Sequence, residues 1–301
     1  AERGKLSGAE TRKLKKKEKI GFIGVGIIGA SMVQNLLNNK FKVNISAHKN
    51  RSKIQRLVAL GATELHSLHN VAKQSDVINL CLPDTATVTN VLDEIFPHLS
   101  ANTLIIDSTT NKAGATEYFQ VKAASFGIRY AEAPLTGGKM QADTATLGAI
   151  VGCDLADFKD IKSVLQACCT VIERFGNVGS GAKVKLISNF LALGTATLVV
   201  ETMKAARDFS IDPQKFYEVS CQGAGHSVSL DRIVPKAIKA DYTGYEFSIS
   251  NTLKDFSYIR EILHTENDYG KLAKLFFEIY QNCEFNDSME KYLSERLDPK
   301  K

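Results

Sequence analysis

KIGFIGVGIIGASMVQNLLNN, residues 19–39, decides how the rest of the chain is read. It opens as a short apolar run, passes through three glycines and continues with apolar residues at helical spacing. Gly24, Gly26 and Gly29 form a G-x-G-x-x-G pattern between that strand and that helix. In such a turn the first glycine permits the tight bend and the second lets backbone approach a pyrophosphate. The third lets helix and strand pack closely, and the helix N-terminus favours phosphate charge. A purely structural glycine turn is the other reading. Dinucleotide binding is preferred because a strand precedes, a helix follows, and the pair heads an alternating pattern.

That pattern continues downstream. Strands are predicted over 42–47, 76–82, 103–107, 128–133, 146–152 and 170–176, and helices over 51–62, 85–96, 116–127 and 158–168. Alternation of this kind implies an α/β fold with a doubly wound, mostly parallel sheet, running to about residue 178. Beyond it the spacing predicts one long helix over 184–208, on the order of 37 Å at 1.5 Å per residue. The remainder reads as helical, broken at 211–213 and near Gly270. The expected organisation is therefore a basic tail or leader (1–18), a dinucleotide-binding domain (19–180), and an all-α C-terminal domain for substrate binding and oligomerisation (181–301), with a long interdomain helix.

With 44% hydrophobic and 24% charged residues the composition is globular, and no uninterrupted apolar run is as long as a membrane span. Six cysteines without C-x-x-C spacing read as reduced thiols, and with the scattered histidines they show no metal-ligand motif. A cytoplasmic location is expected, with the mitochondrial matrix as the alternative. Residues 1–19 hold eight Lys/Arg and three Asp/Glu, which accounts for the whole net charge of +5. A nucleic-acid partner would rest on this tail alone, and the plainer reading is a solvated leader.

The end of the second strand reads SAHKNRSK. It lacks the Asp or Glu that commonly holds the ribose 2′-OH of NAD. His48, Lys49, Asn50 and Arg51 instead make a cluster suited to a 2′-phosphate, so NADPH is expected over NADH. A solvated basic loop is the alternative.

Two lysines stand at the head of the long helix. Lys183 and Lys185 are about 200° apart at 3.6 residues per turn, so both cannot serve one site. Lys185 shares a face with Asn189, four residues on. No charge occurs from Leu186 to Val200, which predicts a helix apolar nearly all round and buried between subunits or domains. An ammonium at its buried beginning needs a partner or a chemical role. Lys185 is therefore the candidate proton donor, and Asn189 would orient the lysine or the substrate oxygen, with a snorkelling or salt-bridged lysine as the plain reading. Burial and the helix N-terminus would both lower its pKa. A homodimer or homotetramer is expected.

From Lys19 onward these motifs resemble the β-hydroxyacid dehydrogenase family, which includes 3-hydroxyisobutyrate dehydrogenase and semialdehyde reductases. GFIGVGIIGASMVQNLL is similar to the family's opening, with Ile27 and Ile28 in the cofactor turn. In CLPDTATVTNVL, the resemblance implies that Leu82 and Pro83 border the dinucleotide. IIDSTTNKAG is similar to its D-x-S-T segment, which puts Asp107, Thr109 and Thr110 near nicotinamide and substrate. EAPLTGGKM resembles A-P-V-S-G-G, which implies Thr136, Gly137 and Gly138 at a substrate carboxylate. GSGAKVKLISN resembles the segment with the catalytic lysine. LKDF resembles a K-D pair, with Lys254 approaching the cofactor and Asp255 beside the site. Threonines 109 and 136 stand where serine is usual, Ser188 replaces an asparagine, Ala113 a proline and Ala145 a glycine. The added methyl groups imply a narrower or differently shaped pocket. The resemblance implies a Rossmann-type fold and NADP-dependent reduction of a small carboxylate-bearing aldehyde or keto acid. Imine reductases share this architecture, but Asp or Tyr is typical at the position of Lys185. A non-enzymatic cofactor-binding module would be expected to lack the lysine.

Overall fold

Alternate residues of the central strands serve opposite layers of the first half of the molecule. In the computed structural model Ile20 and Phe22 of β1 (Lys19–Ile23) are fully buried in one apolar layer, and Ile23 joins the other. Val77 belongs to the first layer while Ile78 and Leu80 of the same strand belong to the second. Period-2 alternation with both faces covered explains why these strands read as unbroken apolar runs. Gly21 fits the same logic, because a Cβ there would lie 2.7 Å from Ile78 Cδ1 and 2.8 Å from Val71 Cγ1.

The structure describes residues 18–46, 51–283 and 289–299. Most of the basic tail and the segment carrying His48, Lys49 and Asn50 lie outside the described residues. The chain divides into two compact units, Ala1–Ala182 and Lys183–Lys301.

The strands of the first unit after β1 are β2 (Lys42–Ser46), β3 (Thr63–Leu65), β4 (Val77–Leu80), β5 (Leu104–Asp107), β6 (Arg129–Glu132), β7 (Leu135–Thr136), β8 (Leu147–Gly152) and β9 (Cys169–Gly176). Their order is β3-β2-β1-β4-β5-β6-β8-β7, with β9 paired to β8. All pairings are parallel except β6 with β8 and β7 with β8. The strand order reverses between β1 and β4. The carboxyl ends of those two strands are where a doubly wound sheet offers a ligand crevice.

One layer of helices comprises α1 (Ile27–Asn38), α2 (Arg51–Ala59) and α7 (Phe158–Leu165), which contribute Met32, Leu36, Leu57 and Ile161. The other comprises α3 (Leu68–Lys73), α4 (Thr85–Ile95) and α5 (Ala113–Ser125), which contribute Val71, Leu92 and Phe119. α6 (Lys139–Asp143) is a single short helix. Four elements of the first unit have no sequence forecast: β3, β7, α3 and α6. Each is six residues or fewer, too short to show a period. α5 begins three residues before its predicted start, at Ala113.

A helix longer than predicted, α8 (Ser180–Asp208), enters the second unit, which holds α9 (Pro213–Ser220), α10 (Val228–Ala237), α11 (Ile249–Ile262) and α12 (Asp268–Gln281). The early start of α8 has a distant cause. Glu132 Oε1 accepts the backbone N–H groups of Gly179 and Gly181, each at 2.7 Å, and so satisfies amides that open the helix. Burial raises that carboxyl to about 7. The break at 211–213 is present, with Asp212 capping α9 through the Lys215 N–H at 2.9 Å. The break expected near Gly270 falls earlier. Gly270 lies inside α12 and packs so tightly on the preceding turn that a Cβ would sit 2.0 Å from the His264 carbonyl oxygen.

Leu193, Ala196, Val200, Phe256, Phe276 and Tyr280 form the centre of the second unit. The Tyr280 hydroxyl lies 2.7 Å from Thr197 Oγ1, so the buried phenol is satisfied. Against expectation α8 is not buried all round. Ile187, Leu191 and Leu198 are 54%, 73% and 59% exposed and lie along one side, four and seven residues apart. The same helix is long and apolar enough to cross a membrane by length and composition, with a window of mean hydropathy 1.4, contrary to the expectation from unbroken runs. Its other faces supply the core just described, which is the usual place for such a helix in a packed domain.

Candidate active site

The glycine turn assigns three different jobs to three glycines. Gly24 has φ +104°, and a Cβ on it would meet the Cys81 carbonyl oxygen at 2.1 Å. A Cβ on Gly29 would lie 2.0 Å from the Gly24 oxygen, so this glycine lets α1 press against the turn. A Cβ on Gly26 would meet nothing within 4 Å. Gly26 is the N-cap of α1, which has no side-chain cap and no acid in its first turn. An uncapped helix start beside an open, Cβ-free position fits a pyrophosphate. Ile27 is 59% exposed at this turn, while Ile28 packs against the core.

Arg51 begins α2, is exposed, and pairs with Glu64 on β3. The sequence stretch around Arg51 contains no acid, but the parallel register of β2 with β3 brings one in from thirteen residues away. An exposed pair of this kind contributes only about 0–1 kcal/mol, so Arg51 can exchange its partner for a phosphate.

At the end of β5, Asp107 is fully buried and accepts from the Thr109 N–H at 2.9 Å, Asn111 Nδ2 at 2.8 Å and the Tyr130 hydroxyl at 2.9 Å. Burial raises its carboxyl above the ordinary range despite these three donors. Asn111 and Tyr130 had no sequence signal, since only the β5–β6 pairing brings Tyr130 alongside. Thr109 is 3% exposed, and its hydroxyl accepts the Leu82 N–H at 3.0 Å. Thr109, expected near nicotinamide and substrate, thus holds the Leu82–Pro83 loop. Thr110 next to it is half-buried. Thr109→Val should leave the Leu82 amide without its partner. The expected result is a loss of about 1–3 kcal/mol in urea unfolding and a weaker hold on the loop, whereas Thr109→Ser stays near wild type. Equal stability of Val and Ser variants would remove this role.

Thr136 pairs with Gly148, and its hydroxyl sits where a Gly148 Cβ would be, 2.4 Å away. Gly137 is exposed with φ +104°. The Gly138 amide donates to Gln141 Oε1 at 2.9 Å. A cavity of about 370 Å³ is lined by Thr136, Gly137, Gln141, Gly148, Val171 and Phe175, with Glu173 as its one ionisable group.

In the second unit Lys185, Asn189 and Asp255 form a chain. Lys185 Nζ donates to Asn189 Oδ1 at 2.8 Å, and Asn189 Nδ2 donates to Asp255 Oδ2 at 2.7 Å. Asp255 is 1% exposed, and Lys254 Nζ lies 3.1 Å from its other oxygen, close enough for an ion pair but not aligned as a hydrogen bond. Lys254 also lies over the Tyr258 ring. Burial lowers the Lys185 pKa to about 8, aided by the Lys254 charge and opposed by Asp255. Lys183 is exposed. The helical spacing announced the Lys185–Asn189 pair. Asp255, expected beside the site, is the buried end of the chain and orients the Asn189 amide, so that its carbonyl faces the lysine.

Comparison with known proteins places residues 19–292. Residues 19–178 match the model described as the NAD binding domain of 6-phosphogluconate dehydrogenase. Residues 179–292 match that described as NAD-binding of NADP-dependent 3-hydroxyisobutyrate dehydrogenase. A mitochondrial 3-hydroxyisobutyrate dehydrogenase of Drosophila melanogaster is 29% identical over 271 residues, covering 87% of this chain and 83% of that one. The 2-(hydroxymethyl)glutarate dehydrogenase of Eubacterium barkeri is 29% identical over 235 residues, covering 77% and 78%. The solved 3-hydroxyisobutyrate dehydrogenase of Mycobacterium tuberculosis with L-serine superposes with a TM-score of 0.82 at 22% identity, covering 93% and 98%; it shares the fold.

Proposed function

This chain belongs to the β-hydroxyacid dehydrogenase family, and on that premise we propose that it is an NADP-dependent oxidoreductase. It reduces a small aldehyde or keto acid to the hydroxy acid, and runs the reverse, with Lys185 as the proton donor. The observation that carries this reading is the Lys185–Asn189–Asp255 chain. A lysine with a pKa near 8 can both give and take a proton close to neutrality.

The bound nicotinamide supplies or accepts the hydride. The open Gly26 turn and the start of α1 would hold the pyrophosphate, Leu82 and Pro83 would border the dinucleotide, and Arg51 would take the 2′-phosphate. In reduction, Lys185 delivers a proton to the oxygen that gains negative charge. In oxidation, neutral Lys185 removes the hydroxyl proton. Asn189 keeps the ammonium from swinging free, and Asp255 fixes Asn189. Thr136 and Gly137 would hold the substrate carboxylate. Assembly into a dimer or tetramer completes the reading, supported by the exposed apolar side of α8.

A panel of small aldehyde and keto acids with NADPH and NADH, followed by nicotinamide absorbance, tests it. Turnover of no member, or turnover of cyclic imines alone, sinks the proposal. NADPH should be favoured by at least tenfold in kcat/KM, about 1.4 kcal/mol. Arg51→Ala should raise the KM for NADPH more than that for NADH. Equal use of both cofactors would make the basic cluster plain surface.

A further inference from the structure

Away from Lys185 and its partners, the connection between α9 and α10 gathers three metal-ligating side chains. Cys221 follows the last turn of α9, His226 lies in the linking loop, and Asp231 stands in the first turns of α10. His226 Nε2 is 2.9 Å from Asp231 Oδ2 and 3.0 Å from Oδ1, and Cys221 Sγ is 4.0 Å from Oδ1. One ligand atom from each residue lies within 4.8 Å of the others. A fourth group, the Tyr217 hydroxyl, donates to Asp231 Oδ1 at 3.0 Å.

We propose that Cys221, His226 and Asp231 bind one divalent cation of the zinc class. The geometry is close to what that ion requires. Tetrahedral zinc with bonds of about 2.0–2.3 Å separates N and O ligands by about 3.4 Å, and S from either by about 3.6 Å. The His226–Asp231 distance must open and the Cys221–Asp231 distance close by roughly half an ångström each, and Cys221 and His226, which lie within 4.8 Å, must come to about 3.6 Å. The loop between them can supply this. It contains Gly223 and Gly225, and a Cβ would meet nothing within 4 Å at the first and only the Ser220 oxygen at 4.0 Å at the second.

The charges fit as well. A thiolate, a carboxylate and a neutral imidazole carry two negative charges, which a divalent ion cancels. Sulfur, nitrogen and oxygen together are a donor set for zinc and not for magnesium or calcium, which take oxygen. Binding displaces the Cys221 proton, which is released to solvent. Tyr217 stays on the carboxylate and orients it, as outer partners of metal ligands do. Solvent occupies the remaining coordination position, since His226 and Asp231 are exposed. The spacing of five residues between successive ligands matches no familiar motif, which is why the cysteines and histidines looked unrelated in sequence. Bound metal would tie the end of α9 to the start of α10.

The test uses full-length protein stripped with a chelator and titrated with Co²⁺. One equivalent should produce sulfur-to-cobalt charge-transfer absorption, and added Zn²⁺ should abolish it. Cys221→Ser should lose the band. His226→Ala and Asp231→Asn should weaken cobalt binding at least tenfold, and Cys283→Ser should behave as wild type. Circular dichroism checks that each variant is folded. No charge-transfer band in the wild type, or a band that survives Cys221→Ser, overturns the site without reference to enzyme activity.

Discussion

Lys185→Ala should lower kcat by about 10²- to 10⁴-fold, the usual scale for losing a general acid–base group. Cofactor affinity should change little, because the glycine turn is untouched. Lys183→Ala is the control. It removes the same charge two residues away, from an exposed position, and should keep activity within a few-fold. The pH dependence follows from the pKa of about 8. Reduction needs the ammonium, so its kcat/KM should be flat below about 8 and fall above it. Oxidation needs the free amine and should rise through the same value. The variant should not melt earlier at pH 7. A lysine whose folded pKa lies below 10.5 costs stability while it is protonated, and that cost fades only as pH climbs from about 8. Stopped-flow rates and calorimetry across pH 6–10, to be run on both variants, decide the matter. An inert Lys183→Ala beside an active Lys185→Ala would reverse the assignment.

Replacing Gly29 or Gly24 should disable the protein in a different way from replacing Gly26. A methyl group at Gly29 must fit 2.0 Å from a backbone oxygen, and one at Gly24 at 2.1 Å with φ +104°. Backbone cannot step aside cheaply, so either alanine should cost about 3 kcal/mol or more, a large part of a typical folding free energy. Gly26 has open space and φ −80°. Gly26→Ala should fold and melt like the parent, yet bind NADPH about 10- to 100-fold more weakly, or roughly 1.4–2.8 kcal/mol. Fluorescence titration of NADPH, with melting curves for all three, separates the two outcomes. Unchanged NADPH binding by Gly26→Ala would mean that the turn holds no pyrophosphate.

How far the residues alone reveal this arrangement depends on the range of each interaction. The parallel sheet was legible because runs such as Val77–Leu80 are apolar on both faces. The Lys185–Asn189 pair was legible because four residues return to one helix face. Contacts that the fold closes over long distances were not. Asp255 reaches Asn189 across 66 residues, and Glu132 reaches Gly179 across 47. Glu64 beside Arg51 is a product of strand register, which no local pattern contains. Thr109 shows a subtler limit. Its neighbours in sequence mark it as part of a site, but only the fold shows its hydroxyl spent on the Leu82 amide. Likewise the uncharged stretch of α8 predicts burial all round, while the packing of one chain covers only part of it.

The exposed row of Ile187, Leu191 and Leu198 makes the amount of protein in the tube a thermodynamic variable. If a second copy covers this row, folding is linked to association, and mass action ties the melting point to protomer concentration. Calorimetric scans over a hundredfold dilution series should then show the midpoint falling as the protein is diluted. A midpoint that ignores dilution would assign the row to a protomer that is stable by itself.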